Sequence, residues 1–176
     1  EILGEDFYGV GSTINHPPVV QLPPPGGRNG FQMTPVELSP PGGLFSYTGE
    51  LWDIHVDDDG VIAVGVDQVV NVGVAFVSGA GDVYNPNTWT EFKADSVLPG
   101  EFTWFDAACR AGDRIVVAGR YSQTDDGLLF FSDDGGTTFE QQALPFGMDA
   151  IHNCVGEPDG TIRLSGKDGL YAIYLP

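Results

Sequence analysis

The sequence predicts an all-β fold built from repeated antiparallel hairpins, because helix signals are nearly absent and short β-rich runs dominate it. No window of a dozen residues places apolar side chains at helical spacing without an interrupting glycine or proline. Clusters of Gly, Asp, Asn or Pro separate most of the β-rich runs, as expected for hairpins. The runs are Leu51–Val56, Val61–Val64, Val72–Val77, Ile115–Ala118, Leu128–Phe131, Thr161–Leu164 and Leu170–Tyr174.

These runs recur in a fixed order, which four glycines mark. Gly11, Gly65, Gly119 and Gly166 each end a similar run, at intervals of 54, 54 and 47 residues. A strand and an acidic or glycine turn precede each of the last three, and further strands follow. Four-stranded units near a period of roughly 40–50 residues are typical of propeller blades, which bury both faces by radial stacking. We therefore expect a β-propeller.

The repeat divides the chain into about three and a half blades, in a ring expected to be larger. Residues 1–43 form a degenerate, Pro/Gly-rich first blade, residues 44–100 a second and residues 101–147 a third. Residues 148–176 form a partial last blade, since a fourth strand would lie beyond Pro176. We expect residues 1–6 and 170–176 to pair with strands of another protein chain that completes the propeller. A compact four-bladed ring is the alternative.

Composition and charge exclude several classes of partner. The net charge is −18, with only seven Lys and Arg, whereas binding to nucleic acid or to anionic membranes needs a basic surface. No apolar run approaches the roughly 20 residues that span a bilayer. The chain starts at Glu1 without a visible signal peptide, so either a leader has been removed or the chain is a piece of something larger. We expect an extracellular or periplasmic protein.

The two cysteines, Cys109 and Cys154, do not make a disulfide framework. They could pair only if their Cα atoms came within roughly 7 Å. Because cysteine is among the most buried residue types, we expect two buried free thiols instead.

One acidic turn carries a resemblance to a known family. The stretch SDDGGTTF, Ser132 to Phe139, fits the Ser-x-Asp-x-Gly-x-Thr-aromatic pattern at every specified position. It resembles the Asp-box, or BNR, repeat of propellers such as sialidases, sortilin-like receptors, xyloglucan-degrading hydrolases and photosystem II assembly factors. Residues 78–89 keep only Ser78, Thr88 and Trp89 of this pattern, around an insertion.

The resemblance implies a structural role for the box, and turn chemistry supports the same role. An Asp134 side chain would accept hydrogen bonds from turn amides, while glycines such as Gly136 permit positive φ. Thr138 would bond across the turn, and Phe139 would fill the gap between sheets. Sialidase activity is not expected, because no arginine follows that family's early Arg-Ile-Pro pattern.

Two other patterns are candidate metal sites. Asp57, Asp58 and Asp59 resemble part of a calcium loop, but Gln68 stands where an EF-hand needs glutamate. A solvated turn is therefore expected, with a loosely bound calcium ion as the alternative. His55 and His152 each follow an isoleucine on a first strand, which we interpret as an echo of the repeat without a third metal ligand.

With a fold signal and no convergent chemistry, the sequence favours a non-catalytic scaffold or binding module that mediates protein–protein interaction. A glycan-binding or glycoside-hydrolase propeller, sialidase-like or xyloglucanase-like, is the alternative. We expect no cofactor. The candidate binding residues are the aromatic residues Trp52, Trp104 and Tyr121 and the acids Asp57, Asp58 and Asp59.

Overall fold

The computed structural model of the chain describes residues 2–3, 6–7, 9–11, 19–22, 34–38, 49–81, 83–144, 148–169 and 171–174. This described part contains β-strands and three single-turn 3₁₀ helices but no α-helix, which confirms the all-β prediction. The strands are β1 Ile2–Leu3, β2 Asp6–Phe7, β3 Gly9–Gly11, β4 Val19–Leu22, β5 Thr34–Glu37, β6 Gly49–Asp57, β7 Gly60–Asp67, β8 Val72–Gly79, β9 Thr90–Lys93, β10 Thr103–Ala111, β11 Arg114–Tyr121, β12 Gly127–Ser132, β13 Glu140–Gln141, β14 Ile151–Gly156, β15 Ile162–Gly166 and β16 Tyr171–Tyr174.

Neighbours in sequence are neighbours in each sheet, so every sheet is an antiparallel meander. The sheet orders are β1-β2, β3-β4-β5, β6-β7-β8-β9, β10-β11-β12-β13 and β14-β15-β16. Within the segment expected to pair with another chain, Leu3 pairs with Asp6 of this same chain in the two-stranded sheet β1-β2. None of the sheets closes on itself among the described residues.

The glycines that mark the repeat are explained by backbone crowding at a β-bulge. Each of the three first strands β6, β10 and β14 shifts register opposite the repeat glycine of the second strand, Gly65, Gly119 or Gly166. A Cβ atom on Gly65, Gly119 or Gly166 would overlap the carbonyl oxygen of Glu50, Trp104 or Ala150, respectively. The bulge brings the first-strand backbone so close that only glycine fits.

The sheets stack through their first strands, with apolar clusters between them. Strand β10 packs against β6, β7 and β8 on one side and against β14 on the other. The cluster between the β6–β9 and β10–β13 sheets includes the rings of Phe92, Phe105, Phe130 and Phe139. Because strands β7 and β8 are covered on both faces, nearly all their residues are buried, which accounts for their continuous apolar runs.

The expectation of two free thiols is wrong, because Cys109 and Cys154 form a disulfide. Cys109 lies on β10 and Cys154 on β14, and the stacking of these first strands brings their Cα atoms to 5.6 Å. This spacing lies within the usual range for a disulfide. The sequence does not indicate that the strands carrying these two cysteines lie beside each other.

Candidate functional site

Aromatic and charged side chains gather at the end of the sheets where the first strands β6, β10 and β14 begin. We call this end the tryptophan face and define it by Trp52, Trp104, Asp106, Arg120 and His152. The indole rings of Trp52 and Trp104 meet edge to face, with centroids 5.6 Å apart and an interplanar angle of 81°. Trp52 is 38% exposed, so an aromatic surface is presented to solvent across two sheets.

Trp104 is held in place by polar contacts on either side. Its indole nitrogen donates a hydrogen bond to the side-chain oxygen of Asn71, at 2.8 Å, from the turn between β7 and β8. Its cross-strand partner Arg120 places its guanidinium 4.8 Å from the centre of the Trp104 ring. This cation–π contact and the hydrogen bond fix the ring's orientation, which lowers the entropy lost when a partner packs on it.

A chain of ion pairs extends from Arg120 to the last sheet. Asp106 lies 3.5 Å from Arg120 Nε and 3.0 Å from His152 Nδ1, so it connects β10 with β14. Burial raises the pKa of Asp106 and outweighs the opposing charges of Arg120 and His152. Asp125 lies 3.8 Å from Arg120 and accepts a hydrogen bond of 2.8 Å from Lys167 Nζ.

Three face residues occupy the same place in the repeat. Trp52, Asp106 and His152 are the extra residues at the bulges of β6, β10 and β14. Trp52 and His152 were candidates from the sequence, whereas Asp106 was not, although counting back 13 residues from Gly119, as from Gly65, reaches Asp106. The interpretation of His55 and His152 as a repeat echo is wrong, because His55 lies three positions further along the repeat than the bulge.

The candidate residues from the sequence divide between the two ends of the sheets. Trp52, Trp104 and Tyr121 lie at the tryptophan face, whereas Asp57, Asp58 and Asp59 form the β6–β7 turn at the opposite end. Asp57 lies five positions after Trp52 on β6, a distance of about 17 Å along an extended strand. These two groups therefore cannot contact one small ligand together.

Both carboxylate oxygens of Asp57 already have partners. One accepts hydrogen bonds from the backbone nitrogens of Asp59 and Gly60, which closes the turn. The other lies 2.7 Å from Arg110 Nε and 3.0 Å from His55 Nε2. Burial alone would raise the pKa of Asp57, but the hydrogen bond and charge of Arg110 outweigh it and lower the pKa. No group of three or more His, Cys, Asp or Glu able to hold a metal ion occurs among the described residues.

The Asp-box turn is closed by its own polar side chains. Asp134 accepts hydrogen bonds from the backbone nitrogens of Thr137 and Thr138, from the Thr138 hydroxyl and from the Ser132 hydroxyl. Ser132 in turn accepts a hydrogen bond from the nitrogen of Gly136. The Thr138 hydroxyl, together with these amides, lowers the pKa of Asp134 to about 2. Both oxygens of Asp134 accept hydrogen bonds within the turn, which supports a structural role for this carboxylate.

The depressed pKa of Asp134 predicts a pH-dependent stability. A carboxylate whose pKa is about 2 when folded, below its ordinary value of 3.8, stabilises the fold above about pH 4. That contribution is lost as the pH falls towards 2. In urea unfolding at pH 6, Asp134→Asn is expected to be less stable than the parent, and the difference between them should shrink towards pH 2. A difference that stays constant from pH 6 to pH 2 would show that the ionised carboxylate does not hold the turn.

Comparison with known proteins leaves the site to be interpreted from its own geometry. No protein-family model matches this chain, and the comparisons with curated proteins and with solved structures found no match either. In the part of the chain that the structure describes, no helix has the length and apolar character needed to cross a membrane.

Proposed function

We propose that this chain is a non-catalytic part of a β-propeller that binds a protein partner through its tryptophan face. The observation that carries the proposal is the exposed Trp52 ring supported by the fixed Trp104 ring. Tryptophan and arginine are enriched among the residues that dominate binding energy in protein interfaces. A rigid aromatic pair beside Arg120 has this composition.

The propeller part of the proposal is supported by the repeat and by how the sheets stack. Among the described residues, five antiparallel sheets follow one another in sequence, and β6, β10 and β14 are the neighbouring first strands of the last three. Adjacent first strands and sheets covered on both faces are features of blades arranged around an axis. The resemblance of Ser132 to Phe139 to an Asp box agrees with this arrangement.

Exposed apolar side chains around the tryptophan pair extend the proposed surface. Val69 and Val70 lie exposed in the turn that contains Asn71, and Phe102 lies exposed just before β10. Exposed apolar groups that cluster at one end of a molecule indicate an interaction site, whereas scattered ones do not. With a net charge of −18, the chain should attract a cationic partner, whose association would slow as salt increases.

We further propose that the protein works outside the cytoplasm, as the sequence suggested. The Cys109–Cys154 disulfide supports this location, because disulfides persist in extracellular and periplasmic environments and are rare in the reducing cytosol.

Site-specific photo-crosslinking with proteins of the native source tests the proposed face. A crosslinker at Val70 should capture a discrete partner, whereas one at Asp58, exposed at the opposite end, should capture none. Trp52→Ala in the variant that carries the crosslinker at position 70 should weaken partner binding roughly 30-fold, as expected for loss of an aromatic anchor worth about 2 kcal/mol. Equal capture by the crosslinkers at Val70 and Asp58 would contradict the proposal, and so would capture at Val70 that Trp52→Ala leaves unchanged.

A glycan-binding function is the second candidate, supported by a concave site at the same end. This site has a volume of about 240 Å³. Its lining combines aromatic rings, an amide and carboxylates, which suit stacking on a sugar and hydrogen bonding to it. Its lining includes Glu101, Phe102, Tyr121, Gln123 and Asp126. Binding on a glycan array that disappears in Tyr121→Ala but survives Trp52→Ala would favour this function over the protein partner.

A further inference from the structure

The concave site beside Tyr121 combines aromatic rings with carboxylates, and none of the described residues that line it is basic. We call it the Tyr121 site and define it by Glu101, Phe102, Tyr121, Gln123, Thr124 and Asp126. Its volume of about 240 Å³ lies below the roughly 300–1,000 Å³ of sites for drug-sized ligands. A site of this size suits a single side chain or a group of similar dimensions.

Two aromatic rings form the apolar part of the Tyr121 site. Tyr121 packs against the apolar cluster between the β6–β9 and β10–β13 sheets, and its hydroxyl accepts a hydrogen bond of 3.4 Å from Gln141 Nε2. Phe102 is 42% exposed, and its carbonyl oxygen accepts a hydrogen bond from the backbone nitrogen of Ser122. The segments that carry the two rings are therefore joined. Aromatic rings attract cations over their faces and also pack against methylene groups.

The turn between β11 and β12 holds Asp126 at the site. The backbone nitrogen of Tyr121 donates a hydrogen bond of 2.9 Å to the carbonyl oxygen of Asp126. The backbone nitrogen of Asp125 donates one of 3.0 Å to the carbonyl oxygen of Tyr121. These contacts fix the backbone of Asp126 beside the Tyr121 ring, so its carboxylate is placed before any ligand arrives.

The acids around the Tyr121 site differ in whether a cation neutralises them. Asp125 lies 3.8 Å from Arg120 and 2.8 Å from Lys167. Within the described ranges, neither Glu101 nor Asp126 has an ion pair of this kind. Two carboxylates without a cation, in a chain of net charge −18, give the site a negative potential.

We propose that the Tyr121 site binds the ammonium group of a lysine side chain. The lysine would belong to the protein partner of the tryptophan face, so its source rests on the proposed function. Its three N–H donors would meet the carboxylates of Glu101 and Asp126. Its methylene stem would lie against the rings of Phe102 and Tyr121.

Charge favours a cation over a neutral sugar at this site. A sugar would displace water from two carboxylates without neutralising them, whereas an ammonium group neutralises them as it displaces water. Lysine is favoured over arginine because Glu101 precedes β10 and Asp126 follows β11, so the two carboxylates come from separate segments. A compact ammonium has donors in three directions, whereas the planar fork of a guanidinium matches a single carboxylate.

Titration of short peptides into the full chain, followed by NMR, tests the class of ligand. The probe is a Gly-Gly-Lys-Gly-Gly peptide, acetylated and amidated so that lysine carries its only charge. We expect saturable shifts of the Tyr121 and Asp126 amides. A peptide with norleucine in place of lysine should bind about 10-fold more weakly, because it lacks the charged hydrogen-bond donors. Binding of the lysine peptide should also weaken as salt is added.

Variants of the chain locate the bound charge. Glu101→Gln/Asp126→Asn removes both carboxylate charges with little change of shape and should weaken binding of the lysine peptide about 10-fold or more. The matched control Asp58→Asn/Asp113→Asn removes the same charge from exposed turns at the opposite end. It should change binding less than about 2-fold, because salt screens distant charges. Phe102→Ala should weaken binding about 3-fold, as for an exposed cation–π contact.

Several results would overturn the proposal. Equal binding of the lysine and norleucine peptides, or no binding of either, would show that the site does not recognise an ammonium group. Tighter binding of the corresponding arginine peptide would assign the site to a guanidinium. Displacement of the lysine peptide by a neutral glycan would assign it to a sugar. Binding of n-butylammonium as tight as that of the peptide would assign it to a small free amine.

The peptide titration and the photo-crosslinking separate this inference from the proposed function. Capture at Val70 that depends on Trp52 but is unchanged in Glu101→Gln/Asp126→Asn would leave the proposed function standing and contradict the lysine site. Binding of the lysine peptide without any capture at Val70 would support the lysine site and count against the proposed function.

Discussion

Replacing Phe139 with alanine is expected to lower the free energy of unfolding by about 3–5 kcal/mol, as for other buried phenylalanines. Phe139 is 6% exposed and stacks on Phe92, which in turn contacts Phe105 and Phe130. Removal of the ring leaves a cavity between two sheets, in the cluster that Phe92, Phe105 and Phe130 form with Phe139. Equilibrium urea unfolding measures the loss.

Phe102→Ala is the matched control, because it removes the same ring from a side chain that is 42% exposed. This control should cost less than about 1 kcal/mol, as most surface substitutions do. Similar losses from both substitutions would show that Phe139 does not fill the space between the sheets. A double-mutant cycle with Phe92→Ala should add a coupling of about 0.5–1.5 kcal/mol from the stacked pair.

Local signals in the sequence were enough to predict the strands and their meander order. The β-branched runs, the turns and the glycines at 54-residue spacing each report on a few adjacent residues. The spacing of Gly65 and Gly119 could be found because a backbone bulge permits no Cβ atom at either position. This steric restriction requires glycine at one position of the repeat, and such a requirement is visible in the sequence.

The tryptophan face was only partly predictable, because its contacts join residues from different sheets. Trp104 meets Trp52 across one sheet boundary, and Asp106 meets His152 across the next. No local sequence pattern indicates which turn of one repeat faces which strand of another. The acids of the β6–β7 turn were candidates because they are adjacent in sequence. In the structure, Asp57 instead closes the turn and forms an ion pair with Arg110.

The disulfide could not be predicted for the same reason, and its removal is expected to have the second large effect. Cys109 and Cys154 are 45 residues apart in sequence. Closing a loop of that length restricts the unfolded chain by an amount worth about 4 kcal/mol in the loop-entropy treatment. Since measured values often fall below that figure, replacing both cysteines with alanine should cost about 2–4 kcal/mol.

Urea unfolding of the parent and of Cys109→Ala/Cys154→Ala, each with and without a thiol reductant, separates the crosslink from the packing of the sulfur atoms. Without reductant the parent should be more stable by the full amount, and it should show no free thiol after denaturation. After reduction in denaturant and refolding under reductant, most of the difference should vanish, because only the small cavity left by the two sulfur atoms then separates the proteins. Two titratable thiols in the unreduced parent would contradict the crosslink.

Because the disulfide ties β10 to β14, it also holds Asp106 beside His152. Reduction should therefore weaken partner capture at the tryptophan face before the chain unfolds, a loss that the Asp134 substitution at the other end of the sheets should not produce.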